Sequence, residues 1–591
     1  MKNRTNETFQ AAIREHRRGQ LAEAERLYRA VLADPPLRIE VTELLAALLL
    51  QQKRFNEASE LLRELSEQCP DSAAVHNNLG IALKAAGRGR EAGDAFQRAL
   101  RIDARYPQAW YNLGVLLADA GRPGDAEEYF QRCLSLNPSD AEALWRLAAA
   151  LAAQQKWQAA EAVYRRLLRA QPDHVNAMIN LAGILVRCHR LDEAAALFRD
   201  VLRLRPDYAE IHSNLSYVAE QQGRFEEAID HARQALELKP DLADAYNNWG
   251  VALRSLHRLE EACQRFRQAL QLRPDFALAE FNLATTRLLA GDFAGGWAGY
   301  ERRFEAVGRQ AGPFPRPRWD GRPCPGRRLL VYSDQGFGDA IQFVRFLPAL
   351  KERSQATIIL ACSAELRPLL AGVVGADEVV AETPWPSFDY YLPLASAPVV
   401  LHADARSLQV EVPYVPAPKP LRSELRQLLR RARRDQRKVG LVWQGNPAQQ
   451  RDTLRSCRLD QWLEWSHVPG LCFFSLQKDD AGRKQLAALA DRWQIIDIGS
   501  HLRDFADTAA VLQELDLLIS VDTAAAHLAG ALGRPVWTLL CHTPDWRWLL
   551  DGPATPWYPT MRLFRQARWG DWAEVVRKVR SELQRWGPRQ V

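Results

Sequence analysis

One spacing governs the first half of the chain. The pairs Leu79-Gly80, Leu113-Gly114, Leu147-Ala148, Leu181-Ala182, Leu215-Ser216, Trp249-Gly250 and Leu283-Ala284 recur every 34 residues, and Leu45-Ala46 extends the series backward. Thirteen residues after each first member stands an alanine: Ala58, Ala92, Ala126, Ala160, Ala194, Ala228 and Ala262, with Ala24 continuing the series towards the N-terminus. Pro36, Pro70, Pro138, Pro172, Pro206, Pro240 and Pro274 close the units, and Ala104 is the one break. A small residue in the first helix of a unit lets that helix approach its partner. The alanine does the same from the second helix. The proline ends the second helix because it lacks the N–H for the next backbone bond. A fixed period of this kind is the mark of stacked supersecondary units.

These in-phase signals resemble the tetratricopeptide repeat family. Eight units span about residues 5–276, with a degenerate ninth after them. The expected fold is an α superhelix with a concave binding face. The residue before the Leu/Trp signal is Asn78, Asn112, Asn180, Asn214, Asn248 and Asn282, broken by Arg146 and Leu44. An amide carries donors and an acceptor, so such a ladder can pair with peptide backbone of any sequence. The repeat superhelix of O-linked N-acetylglucosamine transferase has a similar ladder that holds extended polypeptide. Local bonding within the repeats is the other reading of the same asparagines.

Glycine and proline crowd between Gly291 and Gly326, where the period ends. Residues 5–310 are therefore expected to be the array and 311–327 a linker. Trp297, Tyr300 and Trp319 are expected to pack where the array meets the second half of the chain. From Arg328 the pattern changes to short apolar runs alternating with helical periodicity. LLVYS, TIILA, DEVV and FDYYLPL read as strands. KVGLVW, CFFSLQ, WQIIDI, LDLLISV and PVWTLLC do so beyond the connector VPYVPAPKP. Such alternation implies parallel sheets covered on both faces. Two sets suggest α/β architecture with two Rossmann-like domains, 328–420 and 436–591, binding ligands at the carboxyl ends of their strands. The helical pattern over 571–586 is expected to return to the first of them.

Three loops come directly after expected strands. Gly336, Gly338 and Asp339 form a G-x-G-D turn, in which aspartate also suits a helix cap. Gln444 begins a second loop that leads to Arg455, a residue able to reach a phosphate. Asp522-Thr523 ends a strand and opens the helix that carries Ala524, Ala525 and His527. Backbone N–H groups at such a start favour an anion, and the alanines keep the surface low.

Together, residues 328–591 resemble the heptosyltransferase-like glycosyltransferases of GT-B architecture. The resemblance is carried by Gly336, Gly338 and Asp339, and by Asp522, Thr523, His527, Ala529, Ala531, Gly533 and Pro535 in a D-T-x-x-x-H-x-A-x-A-x-G-x-P pattern. Repeats joined to this region also look like bacterial proteins akin to O-linked N-acetylglucosamine transferase. The resemblance implies a hexosyl-, heptosyl- or N-acetylglucosaminyltransferase that needs no metal or other cofactor. It makes Asp339 the base that deprotonates an acceptor hydroxyl. Arg455 becomes the charge that stabilises the leaving group. Gly336, Gly338, Gln444, Asp522, Thr523, Ala524, Ala525 and His527 become the donor site. The implied partners are a nucleotide-sugar and a polypeptide on the array; a glycan acceptor and a non-catalytic scaffold are the alternatives. One departure stands out: Cys541-His542-Thr543-Pro544-Asp545-Trp546-Arg547-Trp548 replaces the family's glycine- and proline-rich turn after the last expected strand.

Composition excludes other classes. A net charge of +6 over 591 residues does not mark a nucleic-acid binder. Nine scattered cysteines without a C-x-x-C pair argue against structural zinc and a disulfide framework. No apolar run reaches the ~18 residues of a membrane span, and MKNRTNETFQ lacks the apolar core of a signal peptide. A cytoplasmic protein is expected.

Overall fold

A computed structural model describes residues 2–34, 36–309, 312, 314–416, 420–447 and 452–587. Residues 311 and 313 of the expected linker, 417–419 of the connector and 588–591 of the second expected α/β domain lie outside the described residues. The chain divides into two compact units, Met1–Ile211 and His212–Val591. It is mostly helical, with a long tetratricopeptide-like array ahead of a region of parallel sheets.

The first unit is built of helix pairs, from Lys2–Arg17 with Leu21–Val31 to Val175–Arg187 with Leu191–Leu204. Close approach explains the small residues. A Cβ added to Gly80 would lie 2.5 Å from Phe96 Cε1, and one added to Gly114 would lie 2.8 Å from Phe130 Cε1. Both rings are fully buried, so each fills the space left by a missing side chain one helix away. Gly114→Val is expected to destabilise this unit by about 1–3 kcal/mol through overpacking. Urea unfolding monitored by helical circular dichroism checks this, and an unchanged midpoint would refute it.

The second unit continues the pattern. Ala243–Ser255 packs on Leu259–Leu272, and a Cβ added to Gly250 would lie 2.6 Å from Phe266 Cε1. In the next pair, Ala277–Leu289 with Phe293–Tyr300, glycine replaces the alanine of the second helix. A Cβ at Gly296 would stand 2.5 Å from Leu288 Cγ. This last pair does not end in solvent. Phe293, Trp297 and Tyr300 join the same buried core as the first sheet, and the Trp297 indole N–H donates to Ala403 O at 3.0 Å. Trp319 is buried there too, so all three aromatics pack as their position in the sequence suggests.

The first sheet contains β1 (Arg328–Tyr332), β2 (Thr357–Cys362), β3 (Glu378–Ala381) and β4 (Tyr390–Pro393), in the order β3-β2-β1-β4. The second contains β5 (Arg437–Val442), β6 (Leu471–Ser475), β7 (Ile495–Asp497), β8 (Leu517–Val521), β9 (Val536–Leu540) and β10 (Met561–Arg565). Its order is β10-β9-β8-β5-β6-β7. Every pairing in both sheets is parallel. Strand order therefore reverses beside β1 in one sheet and between β5 and β8 in the other. At these places neighbouring loops leave in opposite directions and open a crevice.

Two features differ from the expectation. β10 is an edge strand whose sequence, MRLFR, is interrupted by Arg562 and Arg565 and so does not form an apolar run. The C-terminal helix, Trp572–Trp586, does not return to the first sheet. Val575, Val576, Val579 and Leu583 form one apolar stripe, buried with Trp443, Trp462 and Trp465 on the second sheet. The Trp465 indole N–H donates to Val576 O at 3.0 Å, which fixes the helix there.

Candidate functional site

The site is assembled where three strand ends meet. β1 leads into the helix Phe337–Phe343, whose N-cap is Gly336. Asp339 caps that helix, its Oδ2 accepting from the Gly336 N–H at 2.9 Å. β8 leads through Asp522 to Thr523, the N-cap of Ala524–Ala531. The Thr523 side chain makes no cap bond to the helix. Its hydroxyl instead lies 2.8 Å from the Ser520 hydroxyl. The N–H groups of Ala526 and His527 turn back to Thr523 O, so Ala524 and Ala525 open the first turn.

The two loops touch. A Cβ on Gly338 would fall 2.8 Å from His527 Cδ2 and 3.5 Å from the Ala524 Cα. Only glycine admits this contact, and it places Asp339, Ala524 and His527 around one crevice. His527 is 5 % exposed, and its Nδ1 lies 2.8 Å from the Tyr558 hydroxyl. Its Nε2 is 3.8 Å from Asp522 Oδ1, and its ring rests on Trp548 with centroids 5.1 Å apart. Burial holds the imidazole well below its usual pKa, and the charges of Arg547, Arg345 and Arg455 add to this. At neutral pH it is therefore an uncharged hydrogen-bonding group. Burial pushes the Asp522 carboxyl up to about 6, with Asp545 adding to the rise while Arg455 and Arg547 oppose it.

The sequence did not mark out Arg547, which the fold places at the centre. It is 6 % exposed. Its Nε donates to Gln342 Oε1 and its Nη1 to Asp545 Oδ1, both at 2.6 Å, and its Nη2 donates to Asp339 Oδ1. Both Asp339 oxygens are thus occupied, one by a backbone N–H and one by a guanidinium. Burial raises the Asp339 pKa, with Arg547 pulling the other way. A raised carboxylate pKa suits proton abstraction near neutral pH. The signal for Arg547 lay in the segment that departs from the expected glycine- and proline-rich turn. Two of its partners, Gln342 and Asp339, lie more than two hundred residues away and are visible only in the fold.

The β5 loop supplies the third side. Arg455 ends the short helix Asp452–Arg455, and its Nε donates to Asp452 Oδ1 at 3.1 Å. Its charge acts on both Asp522 and His527. Gln444 is committed elsewhere. Its Nε2 donates to Asp479 Oδ1 at 2.5 Å and its Oε1 accepts from Gln485 Nε2 at 2.7 Å. Its side chain is therefore a strut of the β5 and β6 loops.

The asparagines of the repeats form rungs between neighbouring repeats. Asn78 donates to Glu43 Oε1 at 3.1 Å and Asn112 to Asn77 Oδ1 at 2.9 Å. Asn248 donates to Ser213 O at 3.0 Å and Asn282 to Asn247 Oδ1 at 2.9 Å. Each of these partners lies 35 residues back. Asn180 donates instead to the Tyr164 hydroxyl at 3.1 Å. Asn214 is half-buried. Each amide has further bonding capacity after one such bond.

No group of three or more histidine, cysteine or acidic side chains suited to a metal ion occurs among the described residues. No helix there is long and apolar enough to cross a membrane.

Comparison with known families places these features in context. Residues 469–576 match the family model for glycosyltransferase family 9 (heptosyltransferase). That span contains Asp522, Thr523, His527 and Arg547 but not Asp339, Gln444 or Arg455. Residues 220–256 match a TPR repeat model and 243–276 a tetratricopeptide repeat model. Residues 5–214 match the C-terminal domain of cilia and flagella-associated protein 70. Protein FlbA of Caulobacter vibrioides (strain ATCC 19089 / CIP 103742 / CB 15) is 27% identical over 330 residues, which are 52% of this chain and 55% of FlbA. The chain thus spans about half the length of that relative. Human tetratricopeptide repeat protein 7B is 33% identical over 90 residues, 15% of this chain and 11% of its own. Among solved structures, YrrB, a TPR protein with an unusual peptide-binding site, is 21% identical with a TM-score of 0.29; the match covers 32% of this chain and 96% of YrrB. The chain therefore joins tetratricopeptide repeats to a C-terminal segment of the glycosyltransferase family 9 (heptosyltransferase) type.

Proposed function

We propose that the sheet-bearing region is a GT-B glycosyltransferase that moves a sugar from a nucleotide-sugar to a hydroxyl, on a polypeptide held by the repeats. The single observation that carries this reading is the shared crevice. Asp339 lies just past one sheet's order reversal, Asp522–His527 just past the other's, and Gly338 brings the two loops into contact. Counted within its own sheet, the second sheet has the order 3-2-1-4-5-6 of a dinucleotide-binding fold, which supports a Rossmann-like reading of that half. In this reading the array covers 5–310, a linker 311–327, and the two lobes 328–420 and 436–591.

The donor diphosphate lies against the start of Ala524–Ala531. The N–H groups of Ala524 and Ala525 and the Thr523 hydroxyl point to it, and the helix dipole favours its charge. Asp522 and the neutral His527 line the same edge, while Gly336 and Gly338 keep the facing loop close. As the sugar–phosphate bond breaks, negative charge grows on the leaving diphosphate. Arg455 supplies positive charge beside it, so the reaction calls for no metal or other cofactor. Asp339 takes the proton of the acceptor hydroxyl as that oxygen attacks the anomeric carbon. On a protein acceptor this is a serine or threonine hydroxyl. Asparagine rungs at 78, 112, 180, 214, 248 and 282 offer their remaining amide groups to the acceptor backbone. In this reading the reaction takes place in the cytoplasm.

Incubation of the full chain with UDP-, ADP- and GDP-linked hexoses, heptoses and N-acetylhexosamines tests the reading. Donor-dependent transfer, or hydrolysis of one donor, supports it. Failure to bind any donor leaves a scaffold instead. A glycan as the only acceptor would move the array's role to docking.

Asp522 makes the donor site sensitive to pH. Above about 6 its carboxylate is charged and repels a diphosphate; below that it is neutral. The affinity for a nucleotide-sugar, whose diphosphate diester does not titrate there, is expected to rise about fivefold to tenfold between pH 7.5 and 5.5. In Asp522→Asn the affinity should stay flat at the low-pH value. Calorimetric titration at both pH values decides the matter, and a flat wild-type profile would count against the assignment.

A further inference from the structure

A second cavity lies apart from the crevice. It has a volume of about 190 Å³ and sits beyond the carboxyl ends of β9 and β10, under the repeat loop that carries His257. His542, Pro544, Leu550, Arg565 and Gln566 complete most of its wall. Its lining contains no acidic residue.

The polar groups of this wall are held firmly yet not fully used. Arg565 donates from Nε to Gly552 O, from Nη1 to Leu549 O and from Nη2 to Trp548 O, at 3.2, 3.0 and 2.6 Å. A guanidinium has five N–H donors, so two remain. Arg565 makes no ion pair among the described residues. Its charge is met by carbonyl oxygens, and burial lowers its pKa to about 10, with Asp551 acting only at a distance. Gln566 is 4 % exposed. Its Oε1 accepts from the His542 and Gly570 N–H groups, both at 3.1 Å, while its Nε2 has no partner. His542 Nδ1 also has none. The His542 ring stacks on His257 with centroids 4.5 Å apart, and His257 Nε2 lies 2.8 Å from His542 O.

A half-buried guanidinium without a counter-ion, beside a buried amide with no acceptor, is the incomplete half of a charge-assisted pair. We infer that this cavity binds a small carboxylate-bearing group, with Arg565 and Gln566 as its donors. The two free guanidinium hydrogens and the Gln566 amide match a planar pair of oxygens. One cation in a wall that also contains Pro544 and Leu550 suits a monoanion with a short apolar stem better than a phosphate. The volume admits an acidic side chain or the acid arm of a sugar ring. The carbonyl partners of Arg565 at Trp548 and Leu549 belong to the segment that carries Arg547. An occupant therefore bears on the segment that holds the crevice together. The inference does not rest on sugar transfer.

The test is titration of the full chain with N-acetylglutamate and with glucuronate, each beside its neutral counterpart, N-acetylglutamine or glucose, and with inorganic phosphate. At least one acid is expected to bind tenfold or more tightly than its counterpart. A preference for N-acetylglutamate assigns the pocket to an acceptor side chain, and a preference for glucuronate assigns it to a sugar. Ala567→Trp, at the exposed edge of the lining, should remove the preference without changing the thermal midpoint. Arg565→Gln should remove it as well. Equal binding of acid and neutral compound, no saturable binding of either acid, tighter binding of phosphate, or full binding by Ala567→Trp would each overturn the assignment.

Discussion

Asp339→Asn is expected to abolish sugar transfer, lowering kcat by about a thousandfold or more, while donor affinity stays within about twofold. The amide keeps the shape of the side chain and can still accept from the Gly336 N–H, so the loop stays in place. It loses basicity and, because its one oxygen cannot serve both donors, the acceptor of the Arg547 guanidinium. General-base assistance accounts for ~10²–10⁴-fold in rate, and Asp339 is the carboxylate that the proposed mechanism assigns as base. In the proposed reading donor binding relies on the other loop, around Thr523 and His527, and so is expected to survive. Single-turnover transfer together with calorimetric donor binding separates the two effects. Transfer at the wild-type rate would remove Asp339 from the mechanism, and loss of donor binding alone would show that it holds the fold of the site instead.

Arg547→Met produces the largest loss of stability. The side chain is buried and joins Asp339, Asp545 and Gln342, so its removal leaves two carboxylates in the crevice without their cation. Breaking a buried pair from one side costs about 3–5 kcal/mol. Methionine restores much of the volume, so the loss reports charge and hydrogen bonds more than a cavity. Arg547→Lys recovers only part, because one ammonium cannot reproduce a planar fork with three separate partners. Denaturant unfolding monitored by tryptophan fluorescence measures this, since Trp546, Trp548 and Trp557 are buried in the same core. A change of less than about 1 kcal/mol would mean that the two carboxylates find other partners.

The elements differed in how plainly they could be read. The helix pairs and nine of the ten strands stand out because their apolar residues recur at the spacing of their own geometry. β10 did not, since arginines at 562 and 565 break its apolar run. The G-x-G-D turn and the Asp522–His527 helix start were visible through their glycine, aspartate and alanine at strand ends, although Asp339 also has a local role as the cap of its helix. Gln444 looked equally polar in the sequence, yet its amide is taken up by Asp479 and Gln485. Asparagines recurring along the array were legible as a ladder. That four of them bond to the repeat before was not, because the partner at 35 residues back changes identity from Glu43 to Asn77 to Ser213. The C-terminal helix showed its apolar stripe but not which sheet the stripe would cover.

By itself the sequence determined the repeat period, the change to strand–helix alternation and the small residues at two strand ends. These arise from short-range rules, in which a residue and its near neighbours set the backbone and the apolar face. The tertiary structure alone decided that Gly338 would lie on His527, that Arg547 would join Asp339 to Asp545, and that Arg565 would be half-buried without an acid. Those outcomes depend on which distant groups share a low-dielectric space, where an unmatched charge is costly and a matched one is held. Periodicity carries no record of that pairing.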